Sequence, residues 1–168
     1  MLFRCSAVGN LMSEPKLVAD KKAGKLSKTA ESYLNQFIFE YKYGRRQNFS
    51  TKATQKGTQT EDDGIHVLNM VMKTRYKKNT ERFYGDYLTG EPDIIGKDII
   101  IDIKSNYSAN SFLGKDSIDN IYFWQLLGYC VLGEKRKGAI AYTLNNTPLD
   151  IIKSEITSAY YKNGLVDL

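Results

Sequence analysis

One nearly continuous run of β-branched residues constrains the fold of this chain more than any other segment. Four isoleucines surround a single aspartate in the run Ile99-Ile100-Ile101-Asp102-Ile103-Lys104. A strand with one solvated face would alternate apolar and polar residues, whereas a strand covered on both faces is apolar along its length. The run therefore predicts a central strand inside the protein, with other elements packed on both of its sides.

Helical periodicity and turn signals place helices around a group of short strands. The predicted helices run from the N-cap Ser27 to Gly44, from about Thr51 to Lys73, from Ser117 to about Leu132, and onward from the N-cap Thr147. The predicted strands are Arg82–Tyr84, Tyr87–Thr89, Asp93–Ile95, Ile99–Ile103 and Gly138–Thr143, and residues 106–115 are predicted to be a polar loop. This order predicts one α/β (α+β) domain over residues 1–168, a central mixed β-sheet flanked by helices.

Composition and charge indicate which kinds of partner and which location to expect for the protein. The chain has 168 residues and a net charge of +5, and most of its positive excess lies in the N-terminal third. A basic surface beside local carboxylates suits a polyanionic partner and a bound cation. Cys5 and Cys130 are too few for a disulfide framework or a zinc knuckle, so we expect reduced thiols. No apolar stretch reaches the roughly 20 residues of a membrane helix, and no secretion signal is seen. We therefore expect no membrane partner and a cytoplasmic location.

Two aspartates and a lysine on neighbouring strands form the candidate centre of the chemistry. Side chains alternate along a strand, so Asp102 and Lys104 should point the same way. A tight hairpin through Gly96-Lys97 would bring Asp93 opposite Asp102. Two close carboxylates disfavour each other's ionisation unless a cation holds them, and Mg²⁺ or Mn²⁺ prefers such oxygen ligands. The alternative is a surface hairpin with an ordinary Asp–Lys pair.

Glu61, on the second predicted helix, could add a third oxygen ligand to this site. It lies one turn after Gly57 and before the helix becomes apolar at Ile65. A glycine at position 57 would let bound nucleic acid approach the helix backbone closely. The alternative is that Glu61 belongs to a solvated acidic face with Asp62 and Asp63.

Gln125 and Tyr129 lie four residues apart on the helix predicted from Ser117, and this spacing places them on one face. Their amide and phenol could hold a DNA backbone or orient Lys104. They could equally be a half-buried, hydrogen-bonded pair, and the spacing leaves these alternatives open.

Taken in chain order, these residues form a motif set that resembles a known group of nucleases. The set is Gly57-x-x-x-Glu61, Pro92-Asp93, Asp102-Ile103-Lys104 and Gln125-x-x-x-Tyr129. It resembles the PD-(D/E)XK nuclease superfamily, its RecB-type branch, and most of all the lambda-type (YqaJ-like) exonucleases of phage recombination systems. The resemblance covers most of the chain, from about Arg4 to Tyr142, and implies a restriction-endonuclease-like core.

The resemblance also implies roles for individual residues. The implied metal ligands are Asp93, Asp102, the backbone carbonyl of Ile103 and Glu61. Lys104 would be the catalytic lysine, acting with Asp93, Asp102 and Glu61. The implied DNA-binding residues are Gln125, Tyr129, Gly57, Ser6 and Arg4. Among these, Ser6 corresponds to a serine on a short helix that helps to hold the DNA 5′ phosphate.

The function implied by the resemblance is a Mg²⁺-dependent DNA exonuclease, with Mn²⁺ as a substitute, that resects duplex ends for recombination. Its partners would be DNA ends, a single-strand annealing protein, and further copies of the chain in a ring. One alternative is a structure- or sequence-selective endonuclease on the same core. Another is a DNA-binding module that has lost catalysis, which the presence of Asp93, Asp102 and Lys104 disfavours.

The chain departs from the lambda-type pattern at two positions. Glu91 precedes Pro92, where a phosphate-binding hydroxyl would be expected, and no arginine follows Lys104 in the next segment. These differences leave the metal site intact. Because of these differences, the residues expected to bind a 5′ phosphate are Ser6 and Arg4, in the basic N-terminal third.

Overall fold

Short strands and helices alternate along the computed structural model, which describes residues 2–44, 60–106, 108–113 and 117–145. The helices in these ranges are α1 (Cys5–Leu11), α2 (Val18–Lys22), α3 (Lys28–Tyr43), α4 (Glu61–Met72), α5 (Ala109–Leu113) and α6 (Asn120–Leu132). The strands are β1 (Phe3–Arg4), β2 (Phe83–Tyr84), β3 (Leu88–Gly90), β4 (Ile94–Ile95), β5 (Ile99–Ser105) and β6 (Lys137–Thr143). Gly57, the first part of the second predicted helix and the helix predicted from Thr147 lie outside the described residues.

The described strands form two small sheets. In the first sheet the order is β1-β3-β2, with β1 parallel and β2 antiparallel to β3. In the second the order is β4-β5-β6, and β4 pairs antiparallel with β5. Helix α1 packs against α3 and α6, and α6 packs against β3. The mixed class of sheets flanked by helices is confirmed, although its strands divide between two sheets where one central sheet was expected.

Strand β5 is the element that the isoleucine run predicted. Its residues from Ile100 to Ile103 are all buried, including Asp102 with only 2% of its surface exposed. Four consecutive buried residues require cover on both faces, because successive side chains of a strand point to opposite sides. The expectation of a strand covered on both faces is therefore confirmed.

The boundaries of the helices follow their capping residues. The Ser27 hydroxyl accepts a hydrogen bond from the amide of Ala30 at 3.0 Å, and α3 ends at Gly44, so both ends are as predicted. Gly44 adopts the left-handed conformation. Helix α6 begins at Asn120, after Asp119, so the predicted cap at Ser117 is wrong by a few residues. Helix α5 lies within the predicted polar loop, where the Ser108 hydroxyl accepts from the amide of Ser111 at 3.3 Å. This local bond supplies the helix start that composition did not indicate.

The chain divides into two compact units. The first comprises residues 1–48, 76–102 and 117–140, and the second comprises residues 49–75, 103–116 and 141–168. A buried cluster of Cys5, Ile100, Leu126 and Tyr129 forms the core of the first unit. The expectation of one nuclease domain over the whole chain stays a prediction.

The two cysteines are free thiols, as expected from their number. Burial raises the pKa of the Cys5 thiol to about 11, so this side chain is a protonated member of the core. Within the described ranges, no helix is long and apolar enough to cross a membrane.

Candidate active site

The hairpin of β4 and β5 places the two predicted aspartates opposite each other. Ile94 pairs with Ile101 and Ile95 with Ile100, so the next step of the same register puts Asp93 opposite Asp102. The amide of Gly96 donates to the carbonyl of Ile99 at 2.8 Å and closes the turn. The arrangement is the one that the spacing of the two motifs predicted.

Asp102 is held by a side chain from α6. The Gln125 amide nitrogen donates to Oδ1 of Asp102 at 3.1 Å and lies 3.1 Å from the hydroxyl of Tyr129. All three side chains are buried, with Gln125 5% and Tyr129 4% exposed. This geometry supports the hydrogen-bonded alternative for the Gln–Tyr pair and shows Gln125 fixing the orientation of the Asp102 carboxylate. A DNA contact by Gln125 stays a prediction.

Both carboxylates of the hairpin affect the pKa of Tyr129. Burial raises its pKa, and the charges of Asp102 and Asp93 raise the pKa further, while the bond with Gln125 opposes them. The phenol therefore stays neutral over the working pH range. Its ring lies so close to Gly90 that a Cβ there would fall 2.5 Å from Cε1 of Tyr129. Only glycine at position 90 lets α6 bring this phenol up to strand β3.

Replacing Gln125 with leucine should destabilise the protein. The substitution removes the donor to buried Asp102 and the partner of the Tyr129 hydroxyl, so the free energy of unfolding should fall by about 1–3 kcal/mol. Urea denaturation of the purified protein measures this change. Tyr129→Phe is the matched control, since it keeps the Gln125–Asp102 bond and should cost less. An equal or larger loss in Tyr129→Phe would contradict the assignment.

A cavity of about 240 Å³ lies against the same tyrosine in the first unit. It is lined by cationic, hydroxyl and carboxylate groups, namely Arg4, Ser6, Arg82, Thr89, Glu91 and Tyr129. Ser6 is in the first turn of the short helix α1, as the resemblance implied. Nη2 of Arg4 lies 3.0 Å from Oε2 of Glu40, and Nη2 of Arg82 lies 2.9 Å from Oε2 of Glu91. The structure thus brings the two predicted 5′-end residues together and adds a second arginine.

Glu61 and Lys104 belong to the second unit. Glu61 is half-buried in the first turn of α4, and a Cβ at Gly64 on the same helix would lie 2.7 Å from Cγ2 of Ile103. The start of α4 therefore packs closely against Ile103 of β5. Lys104, the next residue, is half-buried. The Asn145 amide donates to the carbonyl of Thr60 at 3.0 Å and contacts the Ser105 hydroxyl at 3.3 Å. This asparagine fixes the start of α4, a role that the sequence did not indicate.

The predicted ligands have the chemistry that a hard divalent cation requires. Asp93, Asp102 and the carbonyl of Ile103 offer only oxygen donors, and Mg²⁺ in proteins is commonly held by one or two carboxylates while it keeps several waters. Among the described residues, no group of three or more histidine, cysteine, aspartate or glutamate side chains is placed to hold a metal. The carboxylate and carbonyl oxygens of the predicted set are donors of the kind that Mg²⁺ and Mn²⁺ prefer.

Comparison with known proteins finds exonucleases of solved structure with a similar fold. No family model matches the chain, and no curated protein matches it. The crystal structure of a phage-related exonuclease from Haemophilus somnus 129PT superposes with a TM-score of 0.78 at 31% identity, over 90% of this chain and 71% of that one. The alkaline exonuclease LHK-Exo of Laribacter hongkongensis superposes with a TM-score of 0.68 at 13% identity, over 96% and 84%. Its complex with dAMP gives 0.66 at 14% identity, over 97% and 93%.

The fold and the likeness to a phage-related exonuclease identify a nuclease of the PD-(D/E)XK class. The chain belongs to the family of phage-related exonucleases, which confirms the resemblance to lambda-type enzymes. The likeness to LHK-Exo shows the shared restriction-endonuclease-like fold.

Proposed function

We propose that this protein is a metal-dependent deoxyribonuclease that digests duplex DNA from its ends and serves phage-type recombination. One observation carries the proposal. Tyr129 lies in the wall of the cavity that holds Arg4 and Ser6, and its hydroxyl is linked through Gln125 to Asp102. A terminal phosphate bound in that cavity would lie beside the carboxylates, so cleavage would fall close to the end of the strand.

Each residue of the candidate site has a separate role in the proposed reaction. Asp93, Asp102 and the carbonyl of Ile103 would hold Mg²⁺ or Mn²⁺, which when bound would neutralise charge on the scissile phosphate and activate water. Glu61 as a further ligand stays a prediction of the resemblance. Lys104 would stabilise the charge that develops on the phosphoryl oxygens. Gln125 keeps Asp102 oriented, and the neutral phenol of Tyr129 adds no charge that would repel the phosphate.

Linear and covalently closed circular duplexes separate the proposal from its rivals. With Mg²⁺, we expect the linear duplex to be digested to small products and the closed circle to stay intact, since the circle has no end to bind. Agarose electrophoresis with end-labelled DNA measures both. Linearisation of the circle would favour the endonuclease alternative, and binding of both forms without cleavage would favour the inactive module.

Ser6→Ala and Arg4→Ala should each reduce the preference for 5′-phosphorylated over 5′-hydroxyl ends. Each would remove a side chain that donates to the bound phosphate, and a single hydrogen bond to a charged group is worth about 1.5–3 kcal/mol, so the preference should fall about tenfold or more. Initial rates on the two substrates give the preference. Ser32→Ala is a matched control on an exposed helix position outside the cavity. A wild-type enzyme with equal rates on both ends would contradict end recognition.

The single-strand annealing protein, the ring of subunits and a host that is a bacterium or a phage-infected cell stay predictions of the resemblance. The cytoplasmic location stays a prediction of the composition.

A further inference from the structure

The first sheet aligns two arginines on one face of the cavity. Phe83 pairs with Gly90 and Tyr84 with Thr89, so the same register places Arg82 opposite Glu91, and their side chains meet at 2.9 Å. Arg4 pairs with Thr89 from the other side of β3. Directly opposed residues share a face of the sheet, and so do residues two apart on one strand. Arg4, Thr89, Arg82 and Glu91 therefore border the cavity from a single face.

Arg82 can exchange Glu91 for another anionic partner. Both side chains keep about two-fifths of their surface exposed, at 43% and 42%. Exposed ion pairs contribute little net free energy, about 0–1 kcal/mol, because water competes for both charges. A phosphate monoester offers a guanidinium two parallel bonds and up to two negative charges. A terminal phosphate can therefore replace Glu91 as the partner of Arg82.

We propose that Arg82 determines specificity for a terminal 5′ phosphate, and that Glu91 aims its guanidinium in the free enzyme and competes with the phosphate for it. The inference rests on the proposed function and deepens it, because it names the group that tells a phosphorylated end from a hydroxyl end. Arg4 supplies the second cation of the cavity. Its side chain, paired with Glu40, is less exposed than Arg82, so Arg82 is the cation freer to reach the ligand.

Three variants test the proposal on linear duplexes with a 5′ phosphate or a 5′ hydroxyl. The measured quantity is the ratio of kcat/KM on the two ends. Arg82→Ala should lower this ratio about tenfold or more, since a bond to a charged group is lost. Arg82→Lys should give an intermediate ratio, because lysine keeps the positive charge but cannot make the bidentate hydrogen bonds of a guanidinium. Glu91→Gln should raise the ratio, because it removes the competing charge and keeps the shape of the side chain.

Lys25→Ala is the matched control, since it removes one positive charge and breaks the exposed pair of Lys25 with Asp20 in the same unit. It should leave the ratio unchanged. A wild-type ratio in Arg82→Ala would overturn the proposal for Arg82, and a lowered ratio in Glu91→Gln would overturn the competing role of Glu91. The lysine variant keeps a cation beside Glu91, so the test does not depend on the alanine variant folding.

Binding of dAMP and of deoxyadenosine gives a readout that does not depend on cleavage. dAMP should stabilise the wild type against thermal unfolding more than deoxyadenosine does, and Arg82→Ala should remove the difference. If the wild type cleaves DNA but distinguishes neither the two ends nor the two ligands, this inference fails and the nuclease proposal stands. If the wild type distinguishes dAMP but cleaves no DNA, the nuclease proposal fails and the role of Arg82 stands.

Discussion

Replacing Lys104 with alanine is expected to lower the rate of DNA hydrolysis by about a hundred- to a thousandfold, the usual effect of removing one group that stabilises developing charge. Asp93→Asn should lower the rate by a comparable factor, because it removes one of the two facing carboxylates. Neither change should unfold the protein. Lys104 and Asp93 are only half-buried, and removing one of two neighbouring negative charges relieves their repulsion. Single-turnover rates and thermal melts, measured on the same preparations, check both statements.

The hairpin turn offers matched controls for these two variants. Lys97 and Asp98 are exposed residues of the turn that joins β4 to β5. Lys97→Ala and Asp98→Asn make the same chemical changes on the same hairpin, outside the proposed site, and should retain wild-type rates. A large drop in melting temperature with normal specific activity in Lys104→Ala or Asp93→Asn would instead assign those residues a structural role.

The strand and hairpin at the centre of the site could be predicted because their signals are local. The isoleucine run has only one reasonable environment, a strand covered on both faces. The short segment through Gly96 leaves few registers in which β4 and β5 can pair, so the facing of Asp93 and Asp102 followed from spacing alone. Ser27 and Gly44 similarly mark the ends of α3 through bonds that involve only nearby residues.

The surroundings of the aspartates could not be predicted, because they depend on packing between distant segments. The sequence placed Gln125 and Tyr129 on one helix face but left their partner open. It is the packing of α6 in the first unit that brings Gln125 to Asp102. Burial to 2% also makes Asp102 an interior carboxylate, whereas the strand pattern alone suggested a group on a common surface with Lys104.

The pairing of Arg82 with Glu91 could not be predicted from the sequence, because it depends on which residues form the turn between β2 and β3. The predicted strands Arg82–Tyr84 and Tyr87–Thr89 leave two residues between them, and a two-residue turn would place Arg82 opposite Thr89. In the structure the amide of Gly85 donates to the carbonyl of Leu88 at 2.9 Å, and Arg82 falls opposite Glu91. A shift of two residues along one strand keeps the same face but changes the partner. The cavity could therefore be found only once the register was known.

Chelation of divalent cations should abolish cleavage, the largest effect expected for this protein. Without a cation, only side chains such as Lys104 would offset the charge on the scissile phosphate beside Asp93 and Asp102. EDTA should bring the rate to background and added Mg²⁺ should restore it, whereas Ca²⁺ should support DNA binding better than turnover, because it accepts looser geometry and activates water less well.

Thermal stability gives a second measurement of the same metal site. A cation that binds only the folded state stabilises it by RT ln(1 + [L]/Kd), where [L] is the free cation concentration, so Mg²⁺ should raise the melting temperature of the wild type. Asp93→Asn should lose most of this stabilisation, while Asp98→Asn should keep it. Both variants remove one negative charge from the same hairpin, but only the Asp93 carboxylate faces Asp102. Cleavage at the full rate in excess EDTA would refute the metal site. Equal Mg²⁺ stabilisation in both variants would show that any bound cation does not depend on Asp93.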